Sequence, residues 1–318
     1  MLLPYVYPPI IDVYSGVAGN VSALMLSPKS EAMIVRNHFL LTYYESLKAP
    51  GFNWLYYDDS FKEERSIREE LETGGLCEKI IGYLDAKYYV QIFLDHFYLP
   101  CSSKYGKWHF VHDNATIFGY DLEKRVFYVG DNFVVGKFTI ETVDFDSLEK
   151  ARTGLSAAPA QIFRINDDWG EISAETIYLT FRGYYESKCC FDESMINPVN
   201  ISLDGGKKVI FGMDFYDFLR DQIEDCNDKT YDVRTFHILY NHMKLYEDVI
   251  KLLEDFGTSV DVERLRAEAN GLVEDALLLR NKYIKFNITK KNKEKLTDLL
   301  DSLREREKNI LENILDIS

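Results

Sequence analysis

The sequence predicts an α+β protein, with an antiparallel sheet in its N-terminal half and a helical bundle at its C-terminal end. Three observations carry this prediction. Between residues 87 and 143, aromatic and β-branched residues come in short runs punctuated by a proline and a charged turn, as in strands paired through hairpins. From residue 232 onward, apolar residues recur at three- and four-residue spacing, the stripe of helices that share a core. The 318 residues are 46% apolar and 28% charged, enough hydrophobic material for one large domain or two ordinary ones.

Residues 15–27 (SGVAGNVSALMLS) are small and apolar and end at Pro28, which predicts a short buried helix with Ser15 as its N-cap. In 31–46, Met33, Ile34, Asn37, Leu40, Leu41 and Tyr44 share one helical stripe. Residues 60–73 are charged and helix-prone, and Gly74 and Gly75 stop them. Residues 87–99 (KYYVQIFLDHFYL), closed by Pro100, read as a strand; 108–120 (WHFVHDNATIFGY), 126–133 (VFYVGDNF) and 137–143 read as three more. The charged turn 121–125 makes the middle pair an antiparallel hairpin, and a helix begins at 146–151. The small-residue stretch 153–165, with Pro159 in it, marks the boundary between domains of 1–152 and 153–318. Beyond it, 170–256 opens with a strand and a short helix and closes with a long helix over 232–256, stopped by Gly257. Residues 259–285 and 289–314 complete a helical bundle, whose apolar face is a candidate homodimer surface.

The net charge of −15 argues against nucleic acid or an anionic membrane as the main partner. It suits a cationic or amine substrate, and it serves solubility equally. Five cysteines, two of them the neighbours Cys189 and Cys190, form no disulfide framework and no CxxC zinc spacing. The N-terminus lacks a basic n-region, and no apolar run reaches membrane-spanning length. These features predict a cytoplasmic chain. No phosphate-loop or dinucleotide pattern accompanies the Gly205–Gly206 pair, and the expectation is a protein without a cofactor or metal of its own.

The stretch 109–131 holds the most chemistry. His109 and His112 lie three apart on one predicted strand, hence on opposite faces, so they are no chelating pair. If the hairpin turn centres on 122–123, position i faces 245 − i or 246 − i. In the first register Asp131 is a same-face diagonal neighbour of His112; in the second it lies on the wrong face. A His oriented by an Asp one strand over is the base half of a nucleophilic site: the carboxylate fixes the tautomer, and the imidazole moves the proton. His237 and His242, five apart on a helix, share no face.

The run HDNATIFGYDLEKRVFYVGDNF, with KYYVQIFLDHFYLP before it, resembles the butirosin biosynthesis protein H-like family, within the papain-like cysteine peptidase superfamily. There a His opens a strand, a Gly-Tyr-Asp turn follows and an Asp ends the next strand. Here these are His112, Gly119-Tyr120-Asp121 and Asp131. FGMDFYDFL (211–219) and DVRTFHILYNHMKL (232–245) extend the resemblance over nearly the whole chain. The resemblance implies a papain-like N-terminal domain and acyl transfer from a thioester on the phosphopantetheine arm of an acyl or peptidyl carrier protein to an amine. The amide-forming enzyme of closthioamide assembly looks like a member of this group. It further implies a Cys at the start of the first buried helix, where the helix N-terminus lowers the thiol pKa and backbone N–H groups can form an oxyanion hole.

At that point the sequence departs from the pattern. Val13 stands where the Cys is expected. Ser15, two residues on, is the substitute nucleophile, and Cys101, in the loop before the His strand, is another candidate. Cys77, Cys189, Cys190 and Cys226 read as buried hydrophobes. Asp95, mid-strand among aromatics, with His109 and Tyr14, completes the candidate site as substrate-binding residues. Three functions remain: an amide-forming acyltransferase in natural-product biosynthesis, a catalytically degenerate homologue that binds a carrier protein or partner enzyme, and a peptidase. The last needs a nucleophile as much as the first.

Overall fold

The computed structural model describes residues 1–44, 49–52, 57–71, 74–134, 137–166, 168–189, 209–224 and 232–316. In chain order its elements are α1 (Ser15–Leu24), α2 (Ser30–His38), β1 (Thr42–Tyr44), β2 (Ala49–Gly51), β3 (Lys62–Ser66), α3 (Arg68–Leu71), α4 (Leu76–Asp85), β4 (Tyr89–Asp95), β5 (Val111–Asp121), β6 (Val126–Val134), β7 (Lys137–Asp144), α5 (Phe145–Arg152), β8 (Ala160–Ile165), α6 (Ala174–Tyr185), β9 (Val209–Phe211), α7 (Phe215–Glu224), α8 (Arg234–Lys244), α9 (Tyr246–Asp255), α10 (Val262–Thr289) and α11 (Lys293–Leu315). The chain is α+β, with antiparallel sheets and a helical C-terminal region. Among the described residues, no helix is long and apolar enough to cross a membrane.

The chain forms two compact units, residues 1–30 with 59–169, and residues 31–58 with 170–318. The boundary expected at 152 is therefore displaced. The stretch 153–165 is no linker: its end is β8, a strand hydrogen-bonded to both β3 and β4. Ala160, Ile162 and Phe163 of β8 are buried; Pro159 stands immediately before the strand, where its missing N–H costs no ladder bond.

The first unit is built on a six-stranded antiparallel sheet of order β3-β8-β4-β5-β6-β7. One face carries Val90, Ile92, Leu94, Ala115, Ile117, Phe127 and Val129, which form a core with Ile80 and Leu84 of α4 and Leu148 and Ala151 of α5. The other face carries Gln91 and Thr116 against α1, where the amide of Gln91 donates to Thr116 Oγ1 at 3.1 Å and to Asn20 Oδ1 at 3.2 Å. Any side chain at Gly19 would collide with Thr116, so this glycine sets how closely α1 approaches the sheet. Residues 60–73, expected as a helix, instead supply the edge strand β3 and the short α3.

Two bulges shape the central strands. The pair β5–β6 slips by one residue at Phe118, between Ile117↔Val129 and Gly119↔Tyr128. The pair β4–β5 slips between Ile92↔Ala115 and Leu94↔His112. There β5 carries an extra residue, and Asn114 takes the left-handed conformation, φ 56°, which asparagine tolerates better than most residues. The predicted strand over 108–120 starts later than expected, at Val111, so His109 precedes it.

The second unit combines a three-stranded sheet, β2-β1-β9, with α6–α11. The helix expected over 31–46 stops at His38, and Thr42–Tyr44 becomes β1, fully antiparallel to β2 and β9. The single helix expected over 232–256 is two. Leu245 N–H bonds to His242 O at 3.0 Å, a tightened turn that re-aims the chain between α8 and α9. The bundle helices α10 and α11 stand close to their predicted ranges. The glycine pair 205–206 lies outside the described residues.

Candidate active site

The bulge at Asn114 assembles the site. In the register adopted beside it, Thr116↔Gly130, simple alternation would put His112 and Asp131 on opposite faces. The extra residue on β5 reverses the parity, so His112 lies on the face of its partner Leu94, as does Asp131. His112 Nδ1 then meets Asp131 Oδ1 at 2.6 Å.

Asp131 is fully buried. It accepts from His112, from the backbone N–H of Asn132 at 2.6 Å, and from His96 Nε2 to its other oxygen at 3.0 Å. Burial alone would push its carboxyl up; the hydrogen bonds from His112 and His96 outweigh burial and hold it below its ordinary value. An ionised carboxylate only accepts, so His112 carries a proton on Nδ1, and in the neutral ring the lone pair is on Nε2. The His112 side chain is 17% exposed. Its ring is oriented by a buried anion yet reaches solvent, the condition for a proton acceptor.

His96, absent from the sequence reading, is the third member. It sits in the 3₁₀ turn His96–Tyr98 that ends β4, fully buried, and its ring stacks on Phe133 at 5.4 Å. Its Nδ1 lies 2.9 Å from Ser102 Oγ. One ligand atom each from His96, His112 and Asp131 lies within 4.8 Å of the others, a set that could hold a cation only by exchanging the protons that now join them.

Asp95 and His109 also come together, as a second dyad: His109 Nδ1 meets Asp95 Oδ2 at 2.6 Å. Asp95 further accepts from the N–H groups of Phe97 and Phe110, both at 3.0 Å. Burial would raise its carboxyl, but these bonds prevail and lower it. Asp95 pairs with Val111, one step along from Leu94↔His112, so the second dyad faces away from His112.

Ser15 is not the N-cap expected of it. Tyr14, half-buried, holds that position without a side-chain capping bond, and Ser15 is the first helical residue. Its hydroxyl is buried and donates to Asp113 O at 2.7 Å. It therefore ties α1 to the bulge, on the sheet face opposite His112. Val13 is buried too. Burial, reinforced by the nearby charges of Glu141 and Asp131, pushes the Cys101 thiol up to about 12, and burial does the same to Cys77. Neither is poised as a thiolate. Cys190 and Cys226 lie outside the described residues.

No protein-family model matches the chain, and no curated protein matches it in sequence.

Proposed function

We propose that this chain transfers an acyl group from a thioester to an amine, with His112 as general base and Asp131 as its orienter. The single observation that carries the reading is the 2.6 Å bond between a solvent-reaching imidazole and a buried carboxylate. The resemblance to the butirosin biosynthesis protein H-like family, and the papain-like fold it implies, supply the reaction class. The donor is a thioester on a carrier protein.

The transfer is direct. Ser15, the substitute for the missing Cys, is buried and bonded to Asp113 O. The amine nitrogen attacks the thioester carbonyl as His112 Nε2 takes its proton. The C–N bond forms, the C–S bond breaks, and the imidazolium returns the proton to the leaving thiolate. General base catalysis of this kind contributes on the order of 10²–10⁴ in rate. His112→Ala is expected to lose turnover by that factor and to stay folded with a lowered melting temperature, since Asp131 keeps His96 and the Asn132 N–H as donors. Intact-protein mass spectrometry after mixing with an acyl-carrier thioester should show no acyl adduct; a stable adduct would rule the direct route out.

A second reading, a carrier-binding scaffold, is favoured by one observation: α1, the helix expected to bear the nucleophile, packs on the sheet face opposite His112. In that case His112→Ala changes neither carrier binding nor product yield.

A further inference from the structure

We propose that His96 is a positioning residue that sets the proton affinity of His112 through the carboxylate they share. The inference rests on the reading of His112 as the base, and it concerns what tunes that base.

The argument follows the protons. Lys104 N–H donates to Ser102 Oγ at 3.1 Å. The Ser102 hydroxyl has one proton and two candidate acceptors, His96 Nδ1 at 2.9 Å and Phe133 O at 3.5 Å. Phe133 O lies at the outer limit of hydrogen-bond distance, so the serine proton goes to the nearer acceptor, His96. Nδ1 of His96 is then the acceptor, and Nε2 must carry the ring proton. That proton points at Asp131 Oδ2. Every member of the chain Lys104–Ser102–His96–Asp131–His112 thus has its donor and acceptor roles fixed from the loop inward. A side chain that only filled space beside Phe133 would need neither the serine nor the orientation.

The consequence is electrostatic. A carboxylate that receives a full hydrogen bond from His96 has less negative charge to offer His112, so the imidazolium of His112 is less stabilised. Remove that bond and Asp131 holds the His112 proton more tightly. Other charged or titratable groups surround the pair. Asp113, on the same strand, lies 3.9 Å from His112 Nε2. The Lys104 ammonium sits over Phe110 at 5.7 Å, the ring that stacks on His112. Glu141, paired with Val129, shares the face of Asp131, and the Cys101 thiol feels both charges. A substitution at His96 leaves all of these in place, so a shift it causes reports the shared carboxylate.

The test is an NMR titration of the His112 ring in the full chain, in the wild type, His96→Phe, His96→Gln and Ser102→Ala. His96→Phe keeps the stacking volume and removes the donor. The His112 midpoint should rise by about half to one pH unit. His96→Gln, whose amide can donate to Asp131 again, should bring it back to within about 0.2 units. Should His96→Phe not fold, Ser102→Ala carries the test: a smaller rise, with a second ¹⁵N tautomer signal from His96. A His112 midpoint that stays put or falls in the folded variants overturns the proposal. These readouts need no substrate, so a failure to find acyl transfer would count against the function and leave the coupling standing.

Discussion

Among the described residues, each unit buries one carboxylate completely and gives it an imidazole, and the two sites differ in whether that imidazole reaches solvent. In the first unit, Asp131 holds His112, whose side chain reaches solvent. In the second, Glu307 of α11 holds His242 Nε2 at 2.7 Å and also accepts the hydroxyls of Tyr216 at 2.7 Å and of Tyr184 and Tyr246 at 3.1 Å. His242 is fully buried, stacked on Tyr184 at 4.5 Å and packed against Phe39. Burial first, and then the charge of Glu307, pushes all three tyrosine hydroxyls well above their ordinary value. Every residue of this cluster is shut away from solvent. A carboxylate–histidine pair alone therefore does not identify a catalytic site; access to the far side of the ring does.

The largest effect expected is at the closed site. Glu307→Ala strands three phenols and an imidazole in the interior. Each buried orphan costs about 1–3 kcal/mol, and breaking one buried charged pair costs about 3–5 kcal/mol. Denaturant unfolding should show a loss of at least about 5 kcal/mol, or an unfolded second unit. Asp131→Ala orphans two imidazoles, one of them able to turn toward water, and should cost about 3 kcal/mol. If the two substitutions cost the same, the contrast between a structural and a functional carboxylate fails.

A smaller effect separates wild type from Asp131→Asn along the pH axis. The folded state holds the Asp131 carboxyl below its unfolded value of about 4. Its contribution is therefore complete above pH 4 and is lost as pH falls through the depressed folded value. Asparagine cannot ionise. Urea midpoints measured from pH 6 down to pH 2 should fall less steeply in Asp131→Asn than in wild type. Parallel acid limbs would mean that Asp131 is not held ionised by its two histidines.

Much of this was legible beforehand, for local reasons. Strands β4 to β7 announce themselves through β-branched and aromatic runs around a charged turn, and α10 and α11 through uninterrupted helical spacing. The dyad His112–Asp131 was legible as one of two registers. What was hidden depends on distant contacts. β8 follows a small-residue stretch and is a strand because β3 and β4 flank it. His96 ends a strand with nothing nearby to mark it; its partner Asp131 is 35 residues on. The only local sign was a charged pair, Asp95–His96, inside an apolar run. Leu245 breaks no propensity rule, and only the fold divides α8 from α9 there.

The decisive hidden feature is the bulge, and it supports the subtlest prediction. The register adopted is the one that by plain alternation keeps His112 from Asp131, and one left-handed residue reverses it. Asn114 was the available hint, since asparagine enters that conformation at little cost. Glycine enters it freely, although the Asn114 side chain also packs beside Gly16. Asn114→Gly should therefore change stability by less than about 0.5 kcal/mol and leave the His112 Nδ1 proton bonded to Asp131. Valine resists positive φ, so Asn114→Val should cost about 1–2 kcal/mol or shed the strain by dissolving the bulge. In the second outcome His112 turns to the other face, and the downfield Nδ1 proton resonance of the His112–Asp131 bond disappears while the Glu307 cluster, built wholly on regular helices, keeps its own. If that resonance persists in a variant whose β5 has lost its extra residue, alternation is not what brings the dyad together.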